Sequence, residues 1–214
     1  MNRNIVFDIC GTLFEANTTN DFIYFISRKN IFNKLIFTSR SVFIFNIFLK
    51  KIFKVNLLRK YYLYGLKGYT YEELLILAEK FYEDFLTNHK IKYTHDLLYK
   101  VKESGARVFL ASATISPVCE VIAKKLGVDD FVSSNLEFEN GVSTGKLVLN
   151  LAGKKLKKLN LESIELVITD NVSDISLIMK AEKVIVVTKK PKKESWDKLL
   201  ATSNFQAVVK YYLK

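Results

Sequence analysis

Residues 5–14 read IVFDICGTLF, and their reading decides the fold. An apolar, β-branched run ends on a carboxylate, Asp8, and breaks at once into Gly11-Thr12. Residues 4–9 are therefore expected as a short buried strand that Gly11 stops. Open α/β sheets bind ligands beyond the carboxyl ends of their strands. Asp8 falls at such an end, although a cap would account equally well for one acid taken alone.

The same arrangement recurs downstream. RVFLAS, residues 107–112, is a buried strand that ends on Ser112, with Thr114 close by. ELVITD, residues 165–170, ends on Asp170, with Asp174 four residues on. Lys154 and Lys155 open a stretch, KKLKKLNLE, that is expected to be helical. Between these lie further elements. HDLLYKVKESGA is a helix closed by Gly105, and SPVCEVIAKKLG is a helix with Ser116 as candidate N-cap and Pro117 in its first turn. FVSSN and KLVLN are strands about the Asn140-Gly141 turn, SDISLIMKA is a helix, and KVIVVT is a strand. Alternation of this kind predicts a parallel sheet in an α/β core. Residues from about 20 to 88 instead carry apolar side chains at helical spacing. The expected organisation is a core of residues 1–15 and 94–214, interrupted by a helical insert over 16–93.

A carboxylate, a hydroxyl, a lysine and a carboxylate pair at successive strand ends suit phosphoryl transfer. That reaction needs an in-line nucleophile, a divalent cation, and positive or hydrogen-bonding groups around the phosphoryl oxygens. A carboxylate can be the nucleophile, and Mg²⁺ takes carboxylate, water and substrate oxygens.

Composition sets the limits. The chain has 214 residues, almost half of them apolar (49%), which allows a sizeable core. Its net charge of +11 favours anionic partners such as phosphorylated small molecules or acidic lipid, or else reflects many solvated lysines. No nucleic-acid motif is present, so no nucleic-acid partner is expected, and nothing points to an obligate protein partner. The two cysteines, Cys10 and Cys119, are too few for a disulfide framework, and a reducing, cytoplasmic setting is expected. Residues 41–49, SVFIFNIFL, fall short of the ~20 apolar residues that a span needs. Phe43, Phe45, Phe48, Phe53, Tyr61, Tyr62 and Tyr64 lie among Arg40, Lys50, Lys51, Lys54, Arg59 and Lys60. This stretch would serve a large anionic or lipid-like substrate and a peripheral contact with the inner face of an anionic membrane. It could equally pack within the insert with its lysines solvated. His89 and His95 are expected at the surface, Cys119 in the core, and KKPKK (189–193) in a solvated turn.

Together, FDICGTL, LASAT, GKKLKKL and TDNVSD resemble, in order and spacing, the four motifs of the haloacid dehalogenase (HAD) superfamily. NGVSTGKL resembles that superfamily's phosphoserine-phosphatase-like branch. The resemblance implies a Rossmann-like core with a helical C1 cap inserted after motif I. It implies a Mg²⁺-dependent phosphatase in which Asp8 is the nucleophile and forms an aspartyl-phosphate. Ser112 would hydrogen-bond the phosphoryl group, and Lys155, with Lys154 as the alternative, would neutralise it. Asp8, the Cys10 carbonyl, Asp170 and Asp174 would hold the metal. Gly11, Thr12, Asn17 and Ala113 would complete the substrate site, with Lys154. One departure stands out. Where the superfamily has the general acid/base aspartate of motif I, this chain has Cys10. General acid–base help is worth roughly 10²–10⁴-fold in rate, and a thiol is a poor substitute. The expectation is a slow or atypical phosphatase; a catalytically impaired binding module is the alternative. Asn17 occupies the position of the glutamate that binds the amino group in true phosphoserine phosphatases, which argues against phosphoserine as substrate.

Overall fold

The computed structural model describes residues 3–27, 57–202 and 208–213. In chain order the elements are β1 (Asn4–Phe7), α1 (Thr18–Ser27), α2 (Leu57–Tyr64), α3 (Tyr71–Asp84), α4 (Lys92–Glu103), β2 (Arg107–Ile115), α5 (Ser116–Leu126), β3 (Asp130–Glu139), β4 (Val142–Leu149), β5 (Ile164–Thr169), α6 (Ile175–Ile178), β6 (Ala181–Thr188), α7 (Lys190–Thr202) and β7 (Val208–Leu213). The seven strands form one sheet in the order β4-β3-β2-β1-β5-β6-β7. All neighbours are parallel except β3 and β4, the hairpin about Asn140-Gly141. The expected Rossmann-like α/β core is present.

Alternation along the strands builds a core on each face. Ile5, Phe7, Val108, Leu110, Ile185 and Val187 join one apolar cluster with residues of α1 to α5. Val6, Phe109, Ala111, Val184 and Val186 join another with Leu177, Ile178 and Trp196. Burying such a side chain is worth about 1.5–3 kcal/mol, so both faces hold β1 at the centre. From β1 the chain builds outward to β2 and β3 on one side, then returns to β5 and β6 on the other. The crevice between the ends of β1 and β5 is therefore the topological switch point, where α/β sheets bind ligands. Register aligns Phe7 with Ile168 across it.

Several local expectations need correction. KKLKKLNLE forms only a 3₁₀ turn over Lys155–Lys157. Like charges three and four residues apart, Lys154 with Lys157 and Lys158, disfavour a regular helix. SDISLIMKA divides into a 3₁₀ turn (Val172–Asp174) and the single turn of α6. KKPKK is no solvated turn but opens α7, where Pro191 costs no helical hydrogen bond and the buried Trp196 anchors the helix to the sheet. Ser116 is the first residue of α5 rather than its cap; Ile115 holds the capping position, and Gly127 ends the helix with φ +57°. Cys119 is buried as expected. Residues 41–49, with Phe53, Arg40, Lys50, Lys51 and Lys54, lie outside the described residues. No helix among the described residues is long and apolar enough to cross a membrane.

His95 is not at the surface. It is buried, donates through Nε2 to the Leu13 carbonyl (3.1 Å), and meets the Phe14 ring edge-on at 5.1 Å. Burial, reinforced by Lys90, pushes its pKa down to about 4. A base whose folded pKa lies below its unfolded value of ~6.5 stabilises the fold above that pH and loses the contribution as pH falls toward 4. Between pH 7 and pH 5 the native protein is thus expected to lose about 2 kcal/mol more stability than a His95→Gln variant. Urea denaturation at the two pH values measures the difference.

Candidate active site

The turn after β1 is built by its own backbone. Leu13 and Phe14 N–H groups both donate to the Ile9 carbonyl (2.9 and 3.1 Å), and Gly11 N–H donates to the Phe14 carbonyl (2.8 Å). Gly11 adopts φ +69°, a left-handed conformation. The N-terminal end of α4 clamps the turn from outside. Thr94 Oγ1 donates to the Thr12 carbonyl (2.7 Å), and Ile91 N–H to the Leu13 carbonyl (2.9 Å).

Asp8 leaves β1 with its N–H on the Ile168 carbonyl of β5 (2.9 Å). Its Oδ1 accepts from the Ile9 N–H (2.7 Å) and pairs with Lys155 Nζ (2.8 Å). Lys155 Nζ also pairs with Asp174 Oδ2 (2.7 Å), which accepts the Thr169 hydroxyl (2.7 Å) as well. All three charged side chains are almost wholly buried, Asp8 at 4%, Lys155 at 3% and Asp174 at 2% exposure. Burial pulls the Lys155 ammonium down, but the charges of Asp8 and Asp174 outweigh it and hold its pKa well above the ordinary value. Burial lifts the Asp174 carboxyl above the usual range, against the pull of Lys155. Of the two candidate lysines, Lys155 reaches Asp8; Lys154 is exposed.

Asp170 follows β5 and closes on the same turn. A Cβ added to Gly11 would lie 2.0 Å from Asp170 Oδ2, so glycine is the side chain that admits this approach. Cys10, Gly11, Asn17, Asp170, Asn171 and Lys189 help to line an open cavity of about 770 Å³. Thr12 is fully buried away from it, with its hydroxyl unpartnered.

Ser112 and Cys10 belong to a hydroxyl–thiol chain. Cys10 Sγ contacts Thr18 Oγ1 (2.9 Å), Thr18 contacts Thr114 Oγ1 (2.6 Å), and Thr114 contacts Ser112 Oγ (2.9 Å). Burial, then the negative charge of Asp8, pushes the Cys10 thiol up, so it stays protonated at neutral pH. The Ala113 carbonyl accepts Ser134 Oγ (3.0 Å) and Arg59 Nη2 (3.1 Å).

Four residues near the site were given no individual site role by the sequence. Arg59 looked like one of a basic run, yet α2 carries it onto the Ala113 carbonyl near the end of β2. The helix is docked there by β4: Gly145 (φ +77°) comes so close that a Cβ would be 2.8 Å from Tyr64 Cα. The apolar spacing of Leu58 and Tyr62 was the available signal for which face of α2 turns inward. Glu15, Asp21 and Lys189 line the cavity. Lys189 follows β6, and its position at a fourth strand end could have marked it. Asp21 accepts the Asn17 N–H (2.7 Å) at the start of α1; burial raises its pKa against that hydrogen bond and the nearby His89.

The donor set bears on a metal. Among the described residues no group of three or more His, Cys, Asp or Glu side chains is arranged to hold an ion. Mg²⁺ needs no such cage, since one or two carboxylates with water and substrate oxygens suffice. Asp8 and Asp170 flank the Gly11 turn, and buried Asp174 Oδ1 has no hydrogen-bond partner. These hard oxygen donors fit Mg²⁺.

A sequence model of haloacid dehalogenase-like hydrolases matches residues 5–179. No curated protein matches the sequence significantly. Solved structures share the fold. A protein of unknown function from Bordetella pertussis Tohama I is 17% identical, with TM-score 0.72 over 97% of this chain and 99% of that one. A phosphoserine phosphatase in apo form is 20% identical, with TM-score 0.56 over 87% of this chain and 86% of that one. A phosphoserine phosphohydrolase-like protein from Francisella tularensis is 18% identical, with TM-score 0.58 over 97% and 94%.

Removing the buried cation should leave two carboxylates uncompensated, at a cost of about 3–5 kcal/mol. Lys155→Met is therefore expected to lower the urea midpoint sharply in the absence of divalent metal. Lys154→Met should change stability by no more than about 0.5 kcal/mol. Equal effects of the two substitutions would contradict the assignment of Lys155 to the buried network.

Proposed function

The chain belongs to the haloacid dehalogenase-like hydrolase family, and from that premise we propose that it is a Mg²⁺-dependent phosphomonoester hydrolase acting through an aspartyl-phosphate on Asp8. The observation that carries the proposal is the buried Asp8–Lys155–Asp174 network at the crevice between β1 and β5, with Asp170 pressed on the Gly11 turn.

The geometry supports a division of labour on Asp8. Its Oδ1 is held by Lys155 and the Ile9 N–H, which leaves Oδ2 for in-line attack on phosphorus. The new P–O bond forms as the bond to the leaving oxygen breaks, and that oxygen departs with the electron pair. Water then attacks phosphorus, releases phosphate and regenerates the carboxylate. Lys155 and the Ser112 hydroxyl are suited to offset charge on the equatorial oxygens. Asp174 fixes Lys155. Asp8, Asp170 and the Cys10 carbonyl would hold Mg²⁺, with Asp174 in support; when bound, the ion neutralises the phosphoryl oxygens.

The segment over 16–93 is read as the C1 cap. It contributes Asn17 and Asp21 from the α1 end, and Arg59 from α2 as a cation on the Ala113 carbonyl, next to Ser112. Gly11, Ala113 and Asn17 are the proposed substrate contacts. A phosphorylated small molecule suits the open cavity.

Because the Cys10 thiol is neutral and weakly basic, leaving groups that need protonation should react slowly. Release of phosphate from an aryl phosphate is expected with Mg²⁺, to cease with chelator, and to vanish in Asp8→Asn. Inactivity of the native protein with Mg²⁺ would favour the impaired binding module. Cys10→Asp should raise turnover of an alkyl phosphate by up to ~10²-fold while changing the aryl phosphate less. Equal change on both substrates would refute the missing-acid account.

A further inference from the structure

Resting on the reading of Ser112 as a phosphoryl-binding group, we infer that Thr18 and Thr114 are positioning residues that couple the Cys10 thiol to the Ser112 hydroxyl. The coupling lets Ser112 present its proton to the phosphoryl group only while the thiol proton is turned inward.

Four hydrogens serve the chain. Cys10, Thr18, Thr114 and Ser112 each carry one hydrogen on sulfur or oxygen, and the contacts 10–18, 18–114 and 112–114 each need one. One hydrogen is left over. Thr18 and Thr114 are buried at 0% and 1% exposure, so a spare hydrogen on Thr18 would be stranded, and one on Thr114 could reach only Cys10 at 3.5 Å. If Thr114 donates to Cys10 Sγ, a closed ring uses all four hydrogens and keeps the Ser112 proton on Thr114; otherwise the surplus belongs at one end of the chain. In one polarity Cys10 donates to Thr18, Thr18 to Thr114 and Thr114 to Ser112, and the Ser112 proton is free. In the other, every bond reverses and the thiol proton is released from Thr18.

The Thr114 N–H donates to Ser112 Oγ (3.3 Å), which occupies one of that oxygen's acceptor positions in either polarity. A phosphoryl oxygen beside Ser112 selects the first polarity. The thiol is then committed inward and cannot protonate the leaving group. No proton leaves its heavy atom; the hydrogen bonds only reorient. Cys10 thus supports Ser112 instead of replacing a general acid, and Thr18 extends the chain from α1 to the phosphate site.

The test uses hydrolysis of an aryl and an alkyl phosphate by the full chain with Mg²⁺. Thr114→Val and Thr18→Val keep the shape and remove a hydroxyl. Each should lower kcat/KM by about tenfold on both substrates alike, less than the loss expected for a whole oxyanion donor. Thr→Ser at either position should restore activity. In a Ser112→Ala background both valine effects should vanish, which loss of packing alone would not produce. Should one valine variant fail to fold, the other decides. Valine variants as active as the native protein, or equal losses with and without Ser112, would overturn the coupling. Activity that survives Asp8→Asn would instead overturn the reading beneath it.

Discussion

The structure depends on one buried cation. Lys155 Nζ lies between Asp8 and Asp174, each within ordinary ion-pair distance, with little solvent to screen the three. Burying a lone ammonium or carboxylate costs several kcal/mol, so none of the three side chains is stable there without the others. The pairing fixes the ends of β1 and β5 and the Lys155 turn to one point. Asp170 adds a further carboxylate against Gly11. Asp8 and Asp174 outnumber the ammonium between them, and such hard oxygen donors suit a divalent cation.

Precision at that point is set from outside it. The turn after β1 has no room to drift, because α4 holds its carbonyls through Thr94, Ile91 and His95. The neutral His95 is a donor and a packing surface for Phe14, and no catalytic role need be assigned to it. On the opposite side, α2 is docked on β4 by the backbone contact at Gly145. Hydrogen bonds between Ser143 and residues 68 and 69 (2.8 Å each) reinforce the docking and set where Arg59 falls.

The parallel core was legible because strand periodicity and turn residues carry it locally. Strand ends alone singled out Asp8, Ser112 and Asp170 as candidates; Asp8 and Asp170 follow β1 and β5 directly, whereas β2 runs three residues beyond Ser112. Choosing Lys155 over Lys154 was harder. The two are neighbours of one chemistry, and only the direction of a 3₁₀ turn separates a buried ion pair from an exposed lysine. Thr114 stood out beside Ser112 but Thr18 did not, and neither could be given a role, because a threonine on a helix start or a strand reads as structural until its partner is known. His95 was misjudged for the same reason: its partners, Leu13 and Phe14, lie far away in sequence. Arg59 was concealed by the surrounding basic run.

The account's central claim is that Asp8 itself becomes phosphorylated. The direct test is acid quench of the native protein during turnover of a ³²P-labelled aryl phosphate with Mg²⁺, followed by peptide mapping. Hydroxylamine-labile label on the peptide that contains Asp8 is the predicted result. Turnover with the label on another peptide, or with hydroxylamine-resistant label, would contradict it.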